Sequence, residues 1–241
     1  MVYPSPHETG GHLIREVIAF LRAHSILLPL PGPIYIAVSG GADSVALAHL
    51  LAHYGRRIVT RNQIVLLHIN HGWRGKASDQ DARFVQALAK QWKIKIITRK
   101  LKPHLQKGIS WENEARKARK KIYKELALKH AKKNEVWVLT AHHSDDLAET
   151  MVWRMMTGDL STHGGGILVK HSHELRPLLR VRKETLKKYL KEERVRWRED
   201  KTNFEGRFLR SRMRVKLMPV LEDIFPKAIK NLVNLALSNQ R

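Results

Sequence analysis

Over the first two-thirds of the chain, short runs of β-branched and aliphatic residues alternate with longer stretches whose apolar positions recur at helical spacing. Residues 34–38, 64–70, 94–98 and 136–140 read as strands, and residues 11–24, 43–54, 78–92, 110–132 and 144–157 as helices. Each helix between two strands is long enough to cross back over a sheet in the right-handed sense. The order therefore predicts an α/β fold: a doubly wound, mostly parallel, Rossmann-like sheet with helices on both faces. Within the helix at 144–157, Leu147, Met151 and Met155 form an apolar stripe that reads as core.

After Thr157 the pattern breaks. Residues 157–170 are rich in glycine and polar side chains and read as a loop of functional length. Two further helices, at 208–221 and 226–237, are expected to close the chain as a small helical appendage. The expected division is a catalytic domain over residues 1–203 and a basic helical appendage over 204–241.

Composition narrows the class. With 241 residues, 43% of them hydrophobic, the chain can bury a core of its own. It lacks an apolar run of about 20 residues and a basic-then-apolar N-terminus, so neither a membrane span nor secretion is expected and the reading is a soluble, cytoplasmic protein. The 45 Lys and Arg against 22 Asp and Glu leave a formal charge of +23, which makes a polyanion the first partner to consider. The absence of cysteine removes disulfides, thiolate zinc, iron-sulfur clusters and persulfide chemistry.

One motif is sharper than all of this. Ser39, Gly40, Gly41, Ala42, Asp43 and Ser44 stand directly between an apolar strand and a helix. Glycines there let backbone N–H groups curl round an anion, and the helix N-terminus adds its positive end. Asp43 only accepts hydrogen bonds, so beside phosphates it needs Mg²⁺ or another cation. The plainer alternative is a tight turn with Asp43 favouring the helix dipole. No lysine follows the second glycine, so this is not a Walker A element.

The loop resembles the S-G-G-x-D-S signature of the N-type ATP pyrophosphatase (PP-loop) superfamily. That resemblance implies a grip on ATP by Ser39, Gly40, Gly41, Ala42, Asp43 and Ser44, and transfer of AMP to a substrate oxygen. Further segments are similar to those of the tRNA(Ile)-lysidine synthetases within it. His71-Gly72-Trp73-Arg74 looks like H-G-L-R, Glu112 to Arg119 like E-x-x-A-R-x-x-R, and Ala141 to Thr150 like A-H-H-x-D-D-x-x-E-T. Arg176-Pro177-Leu178-Leu179 matches R-P-L-L, and Asp200 to Asn203 followed by Arg210 to Arg214 resembles D-x-S/T-N then R-N-x-x-R. Lys120 and Trp73 depart from the family's usual residues, and the chain ends where many relatives continue into further tRNA-gripping domains.

The resemblance implies ATP and Mg²⁺ as cofactors, an isoleucine tRNA with a CAU anticodon and free L-lysine as partners, and no membrane; it allows a homodimer. Asp43, Arg116, Asp146 and Glu149 are then the catalytic candidates, with Asp43 also the metal ligand. From the residues themselves, Asp146 and Glu149 stand i, i+3 on one helix face and can form an anionic pocket for the lysine ammonium; helix capping is the alternative, and function is favoured because the acids follow His142-His143 at the carboxyl end of a strand. Arg74, Arg119, Arg207, Arg210, Arg212 and Arg214 are the tRNA-binding candidates, with Phe204 and Phe208 able to stack on a base. His68, His71, His142 and His143 read as loop histidines near nucleotide or RNA rather than as a metal cluster. The rivals are a tRNA thiolase, which in its persulfide or cluster forms needs cysteines; a small-molecule amide synthetase, which needs no such basic surface; and a silent RNA-binding module.

Overall fold

A computed structural model describes residues 6–72, 75–101, 111–130, 136–159, 166–199, 209–238 and 240. The chain runs α1 (Pro6–Ala23), β1 (Ile34–Ala37), α2 (Ala42–Tyr54), β2 (Ile64–Asn70), α3 (Lys76–Gln91), β3 (Lys95–Lys100), α4 (Trp111–His130) and β4 (Trp137–Leu139). It continues through α5 (Ser144–Thr157), β5 (Lys170–His171), β6 (Glu174–Leu175), α6 (Lys183–Glu192), α7 (Leu209–Arg212), α8 (Met218–Ile224) and α9 (Ala228–Ser238).

The six strands lie in the order β3-β2-β1-β4-β6-β5, parallel except for β5 against β6. Their side chains alternate between two cores, as the period of two requires. Ile34, Ile36, Ile64, Leu66, Trp137 and Leu139 enter the larger core, together with residues of α1, α2, α5, α6 and α9. Tyr35, Leu67 and Val138 turn to the other face, which α4 covers with Ile122, Tyr123, Leu126 and Ala127. α2 is buried from Ala42 to Ala52, and its alanines let it lie close against the sheet.

The four strands expected from the apolar runs are present, with β3 displaced to end at Lys100. The hairpin β5–β6 was not foreseen, because two-residue strands carry no period to read. α6 was not foreseen either: only Leu186, Tyr189 and Leu190 are buried in a helix otherwise made of charges. The helix expected at 208–221 is present as a continuous helical run over 209–224, in which Met213–Leu217 forms a π-helical turn between α7 and α8. Met155, expected in the core stripe with Leu147 and Met151, is exposed.

The C-terminal helices share the larger core. Met213, Met218, Ile229, Val233, Ala236 and Leu237 belong to the same cluster as Leu147 and Met151 of α5. Gln240 fastens the end, accepting from Val169 N (3.0 Å) and donating to Ile167 O (3.1 Å). No described helix is long and apolar enough to cross a membrane.

β1 and β4 are neighbours, yet the chain leaves β1 towards β2 and β4 towards β6. This is the topological switch point, where the carboxyl ends of adjacent strands open a crevice. The motif at 39–44 follows β1 and the histidine-acid motif at 141–149 follows β4, so the sheet delivers both to one place.

Two predictions follow from the packing. Leu47→Ala, at a fully buried position, is expected to cost about 2–5 kcal/mol in urea unfolding, whereas Leu27→Ala, at 86% exposure, should stay within about 0.5 kcal/mol. Burial and then the charge of His53 push His49, which pairs with Tyr189 Oη at 2.7 Å, down from 6.5 to about 4. Between those values the unfolded chain takes up a proton that the folded chain refuses, so stability falls as pH drops from 6.5 towards 4. In His49→Gln the unfolding midpoint should depend less steeply on pH in that window; an unchanged slope would exclude His49 as its source.

Candidate functional site

The phosphate-type loop is preorganised by its own serines. Ser44 Oγ donates to Gly41 O (2.9 Å) and accepts from Ser39 N (3.2 Å), while Gly41 N donates to Ser39 Oγ (3.3 Å). Gly40 has φ +101°, a left-handed conformation that a side chain would strain, and this accounts for glycine there better than lack of space. Gly41 caps α2 without any side-chain bond, leaving the positive end of a 13-residue helix open to an anion.

Asp43, in the first turn of α2, meets His143 across the crevice, with His143 Nε2 3.5 Å from Asp43 Oδ2. The same buried ring lies 3.4 Å from Asp145 Oδ2 through Nδ1 and 3.4 Å from Asp146 Oδ2 through Nε2. Burial disfavours a charged imidazole, but hydrogen bonds to Asp145 and Asp43 and the charges of Asp146 and Asp43 outweigh it, pushing His143 up to about 10. Nδ1 is also 3.4 Å from the Asp146 amide, a contact that could cap α5 only with a neutral ring. Three surrounding carboxylates favour the imidazolium, so the ring acts as a shared cation. Burial would raise the Asp43 carboxyl, yet His143, with Lys183 and Lys187 beyond it, holds it below its ordinary value. Asp43 Oδ1 remains buried with no hydrogen-bond partner among the described residues.

The acids that followed His143 in sequence divide into different tasks. Asp145 turns away from the crevice: it accepts from Lys183 N (2.9 Å), the first residue of α6, and from Arg182 Nε (3.1 Å). It is a structural joint between α5 and α6. Asp146 Oδ2 accepts from His143 N (3.1 Å), capping its own helix, while Oδ1 faces Arg214 Nη2 at 3.4 Å. Glu149, only 4% exposed, is gripped by Arg214 through two bonds, Nε to Oε1 and Nη2 to Oε2, both 2.7 Å. Such a bidentate pair satisfies a buried carboxylate that would otherwise be costly. The π-helical turn Met213–Leu217 is what brings Arg214 here, and turns of that kind recur at functional sites.

Arg214, a tRNA-binding candidate from the sequence, stands against Glu149 and Asp146 with its side chain 38% exposed. Arg212 is exposed, as are Arg116 and Arg119 on α4. Arg119 acts electrostatically on both His71 and His142, at the ends of β2 and β4, whereas the field of Arg116 falls on buried Arg176. Arg74 and Arg207, with Phe204 and Phe208, lie outside the described residues, as does the side chain of Arg210.

Burial pushes the other histidines of the crevice, His68, His71 and His142, below the ordinary imidazole value. Burial, followed for His71 by the charge of Arg119, pushes His71 down to about 4, and burial does the same to His142 despite nearby Asp146. His68 Nδ1 lies 2.8 Å from Val38 O and donates to it, leaving Nε2 buried without a partner, as is His71 Nδ1. Asp43 Oδ1, His68 Nε2 and His71 Nδ1 are buried without partners among the described residues, the kind of incomplete bonding that a ligand completes. Sequence reading missed Arg182, Arg198 and the central role of His143. For His143 a signal existed, since it immediately precedes the first turn of α5 and its two aspartates.

Comparison with known proteins adds a second line. Residues 21–221 match the family described as the PP-loop domain. The chain is 32% identical over 93% of its length to a tRNA(Ile)-lysidine synthase of Geobacter sulfurreducens, covering 47% of that protein. It is 35% identical over 92% of its length to one of Thermus thermophilus, covering 42% of it, and 30% identical over 90% to one of Bacillus subtilis, covering 46%. The chain thus spans about half the length of the curated relatives it matches. Among solved structures it resembles a U34-tRNA thiolase from Methanococcus maripaludis carrying a 4Fe-4S cluster. The TM-score is 0.71 at 19% identity, covering 95% of this chain and 76% of that one, a likeness of fold.

The charge of His143 is testable apart from its place at the helix start, because asparagine is also a good N-cap. His143→Asn is expected to raise the Asp43 pKa, read by carboxyl-carbon NMR, and to lower the melting temperature. An unchanged Asp43 titration would show that the imidazolium does not hold these acids together.

Proposed function

The chain belongs to the PP-loop domain family, and from that premise we propose that it carries the adenylating and lysine-joining site of a tRNA(Ile)-lysidine synthetase. In this reading ATP lies with its phosphates at residues 39–44 and the N-terminus of α2. AMP passes to the C2 oxygen of the wobble cytidine in a CAU-anticodon isoleucine tRNA, pyrophosphate leaves, and the amine of free L-lysine then displaces AMP. The observation that carries the reading is the meeting, at one switch point, of an open phosphate-type loop with Asp43, Asp146 and Glu149. Relatives bearing that name at 30–35% identity support it.

Mg²⁺ fits Asp43. It characteristically takes one or two carboxylates and fills its remaining positions with phosphate and water oxygens. Asp43 Oδ1 is unpaired, and no cluster of three or more ligating side chains exists among the described residues to build an all-protein cage. Asp43 is the residue that would hold the ion, which when bound offsets repulsion between carboxylate and phosphates.

Free lysine is an ammonium at neutral pH and must lose a proton before it attacks. Glu149 is committed to Arg214, so the ammonium is received at Asp146, whose contact with Arg214 is the longer one. Glu149 serves the lysine site by holding Arg214 beside it. Arg119, directed at His71 and His142, is placed to meet negative charge on the adenylated intermediate.

Incubation with ATP, radiolabelled lysine and an unmodified isoleucine tRNA transcript is expected to label the tRNA with release of AMP; active protein that leaves the tRNA unlabelled would refute the reading. Asp43→Ala should lower AMP formation by about 10²–10³-fold. Asp146→Asn should raise the KM for lysine about tenfold with little change for ATP, and equal changes in both would argue against its role.

A further inference from the structure

The chain leaving α6 returns to the phosphate loop. Arg198 N donates to Gly40 O (2.9 Å), and its guanidinium pairs with buried Asp81 of α3 and reaches Gln80 Oε1 at 3.3 Å. The residues just before this tie line an open surface cavity of about 480 Å³, with Trp197 and Val195 on its floor against the core and Lys191, Arg194 and Arg196 around it. The three cations are exposed and no carboxylate pairs with any of them among the described residues. The acid in the lining, Glu199, faces Lys187 at 3.5 Å.

Unpaired cations round a half-buried indole suit a strand that offers both phosphates and an unstacked base, which is how looped RNA is gripped. The volume is within the range that holds one nucleoside-sized group. An uncharged peptide would not call for three cations, and an acidic one would leave the half-buried indole without a base to stack on it. The bond from Arg198 to Gly40 sets this surface apart from other basic patches. Gly40 holds the strained turn of the phosphate loop, so a ligand that fixes residues 191–199 also fixes that turn.

We propose that residues 191–199 form an RNA-docking strap, and that its occupancy is transmitted to the ATP loop through Arg198. The proposal rests on the tRNA reading above and adds the surface and the coupling. Arg198 is a positioning residue, acting on the loop through Gly40 and Asp81.

The first arm combines Lys191→Gln, Arg194→Asn and Arg196→Gln, asparagine being chosen because Arg194 has φ +54°. Binding of an unmodified tRNA transcript is measured by filter retention between 50 and 200 mM salt, and ATP binding without RNA by calorimetry. The expected result is RNA binding about tenfold weaker, a salt slope shallower by about 2, and ATP binding unchanged. RNA affinity and slope like those of the unaltered protein overturn the strap, as does loss of ATP binding alone, which would mark the cavity as a mononucleotide site. The second arm measures how far saturating tRNA tightens ATP binding. Arg198→Gln removes the pair with Asp81 but keeps the backbone bond to Gly40, and is expected to keep RNA affinity within about twofold and weaken the tightening, with Arg198→Lys restoring part of it; Arg198→Pro, which removes the N–H that Gly40 accepts, is expected to abolish the tightening. Full tightening in Arg198→Pro, or none in the unaltered protein, overturns the coupling. If the unaltered protein binds no tRNA, the tRNA reading itself fails; if it binds and the triple variant binds equally, only the strap does.

Discussion

Everything at the switch point hangs on one positive charge inside a ring of negative ones. Asp43, Asp145 and Asp146 each approach His143 within 3.5 Å, so one imidazolium offsets the mutual repulsion of three carboxylates. The imidazolium also joins elements far apart in sequence. Asp43 belongs to the first turn of α2, Asp146 to α5, and Asp145 carries the connection on to α6 through Lys183 N. The same charge leaves Asp43 ionised with one oxygen unpaired, facing the work that the phosphate loop is shaped for.

What could be read beforehand was whatever is local. The strands of the parallel sheet announce themselves through alternation or continuous apolar runs, and the phosphate-type loop lies within six consecutive residues that need only a strand before and a helix after. The acids of α5 were legible as a group but not as individuals. Capping, joint and ion pair look identical in a string of letters, and only packing separates Asp145, which supports α6, from Asp146, which faces the crevice.

Contacts between distant segments were not legible at all. Glu149 and Arg214 stand 65 residues apart, and Gln80 and Arg198 stand 118 apart, with nothing in either neighbourhood to nominate the other. The run of arginines before α8 accordingly read as one set, whereas the structure pairs Arg214 with Glu149 and Asp146 and leaves Arg212 exposed. A formal charge of +23 concealed the same division. Some cations of this chain serve its own buried acids, and others, such as Lys191, Arg194 and Arg196 of the strap, pair with no carboxylate among the described residues.

The pairing of Glu149 with Arg214 has a consequence for how the molecule comes into being. A ribosome delivers the chain in order, and the sheet strands through β6 emerge well before residue 214. During that interval the counterion of Glu149 has not been made, and burying a lone carboxylate is costly. Closure of the crevice round Glu149 is therefore disfavoured until the tail arrives. The last turn of helix to be synthesised before α8 is the one that locks the first chemistry the sheet lays out.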